Sequence, residues 1–421
     1  MAKDKSDGRD QRIRTSEYPA PRCAAQPSRL QSNQFRQALA AIASLATLMF
    51  ASCVPEADGL VTMDAARGTI SSEQTVGPAN EVEPSTTSEP SPQTSPKTSS
   101  DALQQRVLGV LETALEHRSM DTTVNAAWQI LHGVVAFGPD LMINTPDRGE
   151  VPALEYAFSG GVINGFELSL GDVHPTSGRR GIKARLDPGS YSGQGHVDQW
   201  IAICAMCNLP PDTPVQVGEQ ELTVRDWARQ AQYDVSENYL DEYGWTLIAL
   251  THYLPEETQW IAKDGNVYSI EDLVAAEINI DLTTAACGGT HSLAGVVRAI
   301  RLRERAGLPG SETWAAAEQL VQRCIANARQ FRAGDGRLST NYFDGPGISV
   351  DLSVELSSAG HVFEFLALAL PDNELAEPWV ERSLERICEL LESAEAVDLE
   401  CGSLYHALNG LKIYAMRRYA S

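Results

Sequence analysis

The chain has 421 residues, 43% of them hydrophobic, with 33 basic and 56 acidic side chains and a formal charge of −23. That is apolar enough for a sizeable core, which excludes a wholly disordered chain, and long enough for one to three domains. Positions 1–53 carry eight basic and four acidic residues, so the remainder has 25 bases, 52 acids and a charge of −27, which phosphate backbones repel and which argues against nucleic acid as a partner.

The first element in chain order is the uncharged run from Ala38 to Ala51. It is shorter than the ~20 residues a bilayer span needs, but it has the length of a signal-peptide core. It ends in Phe50-Ala51-Ser52-Cys53, which resembles the lipobox of bacterial lipoproteins. That resemblance implies a leader over 1–53, lipidation of Cys53 and a lipid-anchored, extracytoplasmic protein of the bacterial cell envelope. Positions 78–100 hold five prolines and ten Ser/Thr, too little apolar surface to offset the entropy of ordering, so 54–100 reads as a disordered linker.

From Asp101 to Ser421 the period is helical. Val107, Leu111 and Leu115 form one apolar stripe, Ala317, Val321, Cys324, Ala328 and Phe331 another, and Val380, Leu384, Ile387 and Leu391 a third; each predicts an amphipathic helix with one wet face. Six other segments are apolar all round: Ala126–Val135, Trp200–Met206, Trp245–Leu250, Leu293–Ile300, His361–Leu370 and Leu404–Leu411. Alternating wet and buried helices predict an all-α fold, an α/α toroid of about six hairpins over 101–421. The glycine-rich stretch 147–195 breaks the rhythm. It reads as an outer helix near Ala153–Phe158 followed by one β-hairpin or long-loop insertion.

The run Gln330-Phe-Arg-Ala-Gly-Asp335-Gly336-Arg-Leu338-Ser339 resembles the Gln…Asp-Gly turn of terpenoid cyclases and protein prenyltransferases, which share this barrel. Four strings, Gln194-Gly-His-x-Asp-Gln-Trp200, Cys287-Gly-Gly-Thr-His291, Gly360-His-x-x-Glu-Phe-Leu366 and Glu400-Cys-Gly-x-Leu-Tyr-His406, resemble a bacterial family of secreted toroid proteins without assigned chemistry. Its members are sometimes labelled GTPase-activating proteins for ADP-ribosylation factors. The zinc finger of true members of that class is missing here, and an exported chain meets no such GTPase, so no GTPase partner is expected.

Chemistry is expected where histidines gather. His196, His291, His361 and His406 fall at or near the starts of predicted inner helices, while His132 is mid-helix. Parallel inner helices would bring those starts to one mouth. His196, Asp198, His361, Glu364, Tyr405 and His406 are therefore candidates for proton transfer, against the alternative that they only cap helix ends, with His361 and Glu364 paired one turn apart. Arg179, Arg180, Lys183 and Arg185, with Trp200, are candidates for holding an anionic glycan or small ligand, against the alternative of a solvated hairpin face. Prenyltransferases hold zinc with an Asp, a Cys and a later His, and Cys287 and His291 at i, i+4 with His361 offer a comparable set, although Ala285 stands where that family has its Asp. Cys204-Ala-Met-Cys207 reads as core packing. Neither Asp-rich cyclase motif occurs, and Thr290 replaces the Gln that a thioester needs. Three functions follow: a cavity-binding module, a lyase or hydrolase acting on acidic polysaccharide at the cell surface, and a zinc-dependent, prenyltransferase-like enzyme.

Overall fold

A computed structural model describes residues 22–23, 97–238 and 242–419. The run at 38–51, Cys53 and most of the linker lie outside the described residues. The fold is mostly helical. Its helices are α1 (Lys97–His117), α2 (Ala127–Phe137), α3 (Ala153–Phe158), α4 (Gln199–Met206), α5 (Val224–Tyr233), α6 (Gly244–Tyr253), α7 (Ile270–Glu277), α8 (Thr290–Ala306), α9 (Glu312–Phe331), α10 (Leu352–Ala369), α11 (Pro378–Ser393) and α12 (Cys401–Tyr419). The first begins four residues inside the stretch assigned to the linker.

Even-numbered helices are buried and odd-numbered ones are wet on one side, as the periodicity predicts. All eleven residues of α2 are buried. The stripes Val107, Leu111, Leu115 and Val380, Leu384, Ile387, Leu391 face the core, and Pro378 occupies the first turn of α11, where its missing N–H costs nothing. The even helices touch in the order α2, α4, α6, α8, α10, α12 and back to α2. Outside them α5 lies on α4 and α6, α7 on α6 and α8, α9 on α8 and α10, and α11 on α10 and α12. Glycines permit the closest seams. A Cβ on Gly295 in α8 would lie 2.4 Å from the Gly244 carbonyl of α6, and one on Gly360 in α10 would lie 2.8 Å from Ala407 of α12. The helix α10 is long and apolar enough to cross a membrane by composition, but 61% of it is buried inside the protein.

The expectation of a single hairpin insertion is corrected. Between 147 and 195 the chain forms α3 and then the hairpin β4 (Leu168–Val173) and β5 (Arg180–Ala184), but three further antiparallel hairpins occur. They are β2 (Met142–Thr145) with β3 (Gly149–Pro152), β6 (Pro214–Val217) with β7 (Gln220–Thr223), and β8 (Gln259–Ile261) with β9 (Val267–Ser269). Each runs without a break into an outer helix, α3, α5 or α7. Thr223 and Ser269 close two of these junctions with capping boxes, their hydroxyls taking the amides of Asp226 and Asp272 while those carboxylates bond back. This satisfies two otherwise orphaned N–H groups at each helix start. A two-residue strand, β1 (Arg22–Cys23), pairs with β10 (Leu399–Glu400) just before α12.

Candidate metal centre

Five histidines meet inside the cycle of even helices. Ring centroids lie 4.2 Å apart for His361 and His406, 5.0 Å for His291 and His406, 5.4 Å for His132 and His406, 5.5 Å for His291 and His361, and 6.0 Å for His196 and His291. Helix starts account for only part of the convergence, since His291 is the second residue of α8 and His196 lies just before α4. His361 is the tenth residue of α10 and His406 the sixth of α12, because both helices begin before their apolar runs. His132, in the middle of α2, joins them.

Four of these rings are pinned through Nδ1. His132 donates to the Trp128 carbonyl at 2.6 Å and His361 to the Ser357 carbonyl at 2.7 Å, each one turn back on its own helix. His406 donates to Glu364 at 2.6 Å, and His196 to Glu242 at 2.7 Å. A carbonyl can only accept, so at His132 and His361 Nδ1 carries a proton, and at His132, which burial keeps neutral, Nε2 keeps its lone pair. The Nε2 of His291 is buried without a hydrogen-bond partner. The pairing of His361 with Glu364 is thus replaced: Glu364 is taken by His406 and by the Asn409 amide at 2.5 Å. Burial holds His291 and His406 well below the ordinary imidazole range and His132 at about 4, so these rings are neutral. Burial also opposes charge on His361, but the adjacent Cys287, the Ser357 carbonyl and Glu364 outweigh it and raise that ring to about 9.

Cys287 reaches the cluster by a route that helical spacing does not describe. It lies in a tight turn before α8, not on the helix, with φ of +52°, followed by Gly288 at +62° and Gly289 at +72°. A left-handed turn folds the thiol back over the helix start. Its Sγ and the ring nitrogens of His291 and His361 all lie within 4.8 Å of one another. One cysteine sulfur and two imidazoles, which release their protons as a metal binds, suit zinc, which sits about 2.0–2.3 Å from such ligands in a tetrahedron. Groups that accept from the other ring nitrogen, as the Ser357 carbonyl does, are the usual outer support of such sites. Cys287 and His291 are half-buried and His361 buried, so the set opens on one side only. Inward, Trp245, Arg298, Glu364 and Met206 enclose a cavity of about 20 Å³, room for about one water.

Outward, Cys287 and Gly288 form part of the wall of a 730 Å³ cleft between the 278–288 segment, the 340–344 turn and α9. Tyr342 stands in the same wall, itself at φ +55°, and a Cβ on Gly288 would lie 2.3 Å from its ring. Bulky residues held at positive φ cost on the order of 1–3 kcal/mol each and collect at functional sites. Burial and the neighbouring Cys287 push the Tyr342 hydroxyl up to about 12. Neither Tyr342 nor His132 was singled out from the sequence.

The other expected site residues go elsewhere. Asp198, at φ +58° before α4, accepts from the Thr246 hydroxyl at 2.6 Å and is raised by burial to about 6. Tyr405 packs edge-on against Phe137, 5.8 Å away. Trp200 is 1% exposed and packs in the core. Three of the four residues of the basic cluster are paired with acids. Arg179 forks onto Asp226, Lys183 bridges Asp172 and Asp234, and Arg185 pairs with Glu167, while Arg180 donates to the Gly171 carbonyl. Cys204 and Cys207 are free thiols, both pushed up by burial, as core packing predicts, and Cys401 is disulfide-bonded. No protein-family model matches the chain, and neither a curated protein nor a solved structure is similar to it.

Proposed function

We propose that the chain is an α/α toroid of six hairpins that carries a zinc centre on Cys287, His291 and His361, and that it works as a metal-dependent enzyme at the cell envelope. The observation that carries this reading is the convergence of those three donor atoms, with His361 pinned through Nδ1 and the Nε2 of His291 left without a partner. Three protein ligands leave a fourth position open, and zinc held that way activates water or polarises a carbonyl. The cyclic contacts of the even helices support the toroid. Glycan binding by the 179–185 cluster is less favoured, since Arg179, Lys183 and Arg185 already have acidic partners.

Metal analysis of the purified full-length chain tests the reading. We expect about one equivalent of zinc, lost in Cys287→Ser and His361→Ala, and a fall in Tm on chelation. A metal-free chain whose Tm ignores both chelator and added zinc would overturn it. Lipid anchoring at Cys53 belongs to the same proposal and has its own test. Cleavage before Cys53 removes Arg22 and Cys23, so the mature mass should lack residues 1–52 and include acyl chains; a mature chain that retains them sinks the anchor.

A further inference from the structure

The 730 Å³ cleft beside Cys287 has the size of a small-molecule site, which typically falls in the range of about 300–1,000 Å³. Its walls are fixed before any ligand arrives. Asn327 on α9 donates to the Phe343 carbonyl at 3.0 Å, Ser339 to the Gly345 carbonyl at 2.7 Å, and Asn341 to the Pro346 carbonyl at 3.1 Å. On the opposite side, the ring of Tyr342 closes on Gly288.

Within these walls one cation stands out. Arg323 lines the cleft from α9 and has no ion-pair partner among the described residues. Several other arginines, Arg225, Arg305 and Arg332 among them, have none either; what sets the exposed Arg323 apart is that it is the one basic residue lining this cleft. A guanidinium that forms no ion pair with the two aspartates of its own cleft is available to an external acid. A guanidinium presents a planar fork that matches a carboxylate. Asp281 and Asp344 line the same cleft and disfavour a dianion such as a phosphate monoester.

We propose that this cleft is a substrate site for small monocarboxylates, which Arg323 anchors while their reactive end lies at Cys287. Only the reactive end rests on the zinc reading; the anchoring does not. Cys287 itself permits a test without metal. In chelator, the full-length chain is equilibrated with the symmetrical disulfides of ω-mercaptocarboxylates of two to six carbons and with those of the matching mercaptoamides, under increasing 2-mercaptoethanol, so that the Cys287 thiolate displaces one probe thiol as it forms the mixed disulfide. The mixed disulfide at Cys287 is then quantified by mass spectrometry of its peptide. At one chain length we expect the carboxylate adduct to survive at least tenfold more reductant than the amide, and Arg323→Met to erase that difference while leaving the amide adduct unchanged. Equal survival at every length, or a preference that persists in Arg323→Met, would overturn the proposal. Zinc content, measured separately, decides the metal reading whichever way this result falls. Glucuronic acid and N-acetylalanine, added as competitors, separate a sugar from an amino-acid source of the carboxylate.

Discussion

Cys287 stands at φ +52°, a conformation that residues other than glycine adopt rarely, and the ring of Tyr342 lies against the next residue, Gly288. A methyl group at Gly288 meets the Tyr342 ring at 2.3 Å on a backbone already at φ +62°. Gly288→Ala should therefore lower both Tm and zinc content, whereas Gly265→Ala, also at positive φ but with open space around it, should lower Tm alone. Glu277 is a second residue held out of its ordinary state. It is 1% exposed and accepts from the Tyr243 amide, and burial raises it to about 7. The unfolded chain ionises this carboxyl near pH 4.5, the folded chain only near 7. Its favourable contribution is complete below pH 4.5 and is lost as pH rises to 7, roughly 3 kcal/mol in all. Glu277→Gln should raise Tm at pH 8 and change it little at pH 4; equal gains at both would exclude the buried proton as the cause. None of this was legible from residue spacing. That histidines would gather could be read from their recurrence beside apolar runs, but a left-handed cysteine reaching over a helix start is a backbone fact that i, i+4 counting cannot contain.

At the scale of elements, the hairpins before α5 and α7 are bounded by local chemistry. Alternation in Pro214-Val-Gln-Val217 and the Thr223-x-x-Asp226 and Ser269-x-x-Asp272 caps lay in plain view, but each strand has only three or four residues and is easily absorbed into a loop. Removing either cap hydroxyl, Thr223→Ala or Ser269→Ala, should cost about 1 kcal/mol, seen as a drop in Tm of about 2 °C. The start of α10 was hidden for another reason. Ser357, Ser358 and Gly360 interrupt its apolar run: Ser358 bonds back to Val354, Gly360 lets α12 approach, and position 357 orients His361 through its backbone carbonyl, which any residue could supply. Functional and close-packed positions are where hydrophobic periodicity fails first.

For the molecule as a whole, the alternation of wet and buried helices was legible because burial of one face or all faces imprints directly on composition. The order of contacts was not, since it depends on where small residues let backbones meet. Gly295→Ala drives a methyl to within 2.4 Å of the Gly244 carbonyl and should destabilise by about 1–3 kcal/mol. Gly109→Ala in α1, with nothing within 4 Å, should stabilise by about 0.5–1 kcal/mol; paired denaturation midpoints check both signs. The contact of α12 with α2 also sets an order of events in time. Lys412 donates to the Val135 carbonyl across 277 positions of sequence, so the first buried helix has no neighbour on one side until the last nineteen-residue helix has been made. The nascent chain must carry an open apolar seam through nearly all of its synthesis, and contacts so far apart in sequence slow folding in general. A chain that stops short of Cys401 would keep two such seams permanently exposed and should be degraded or aggregate.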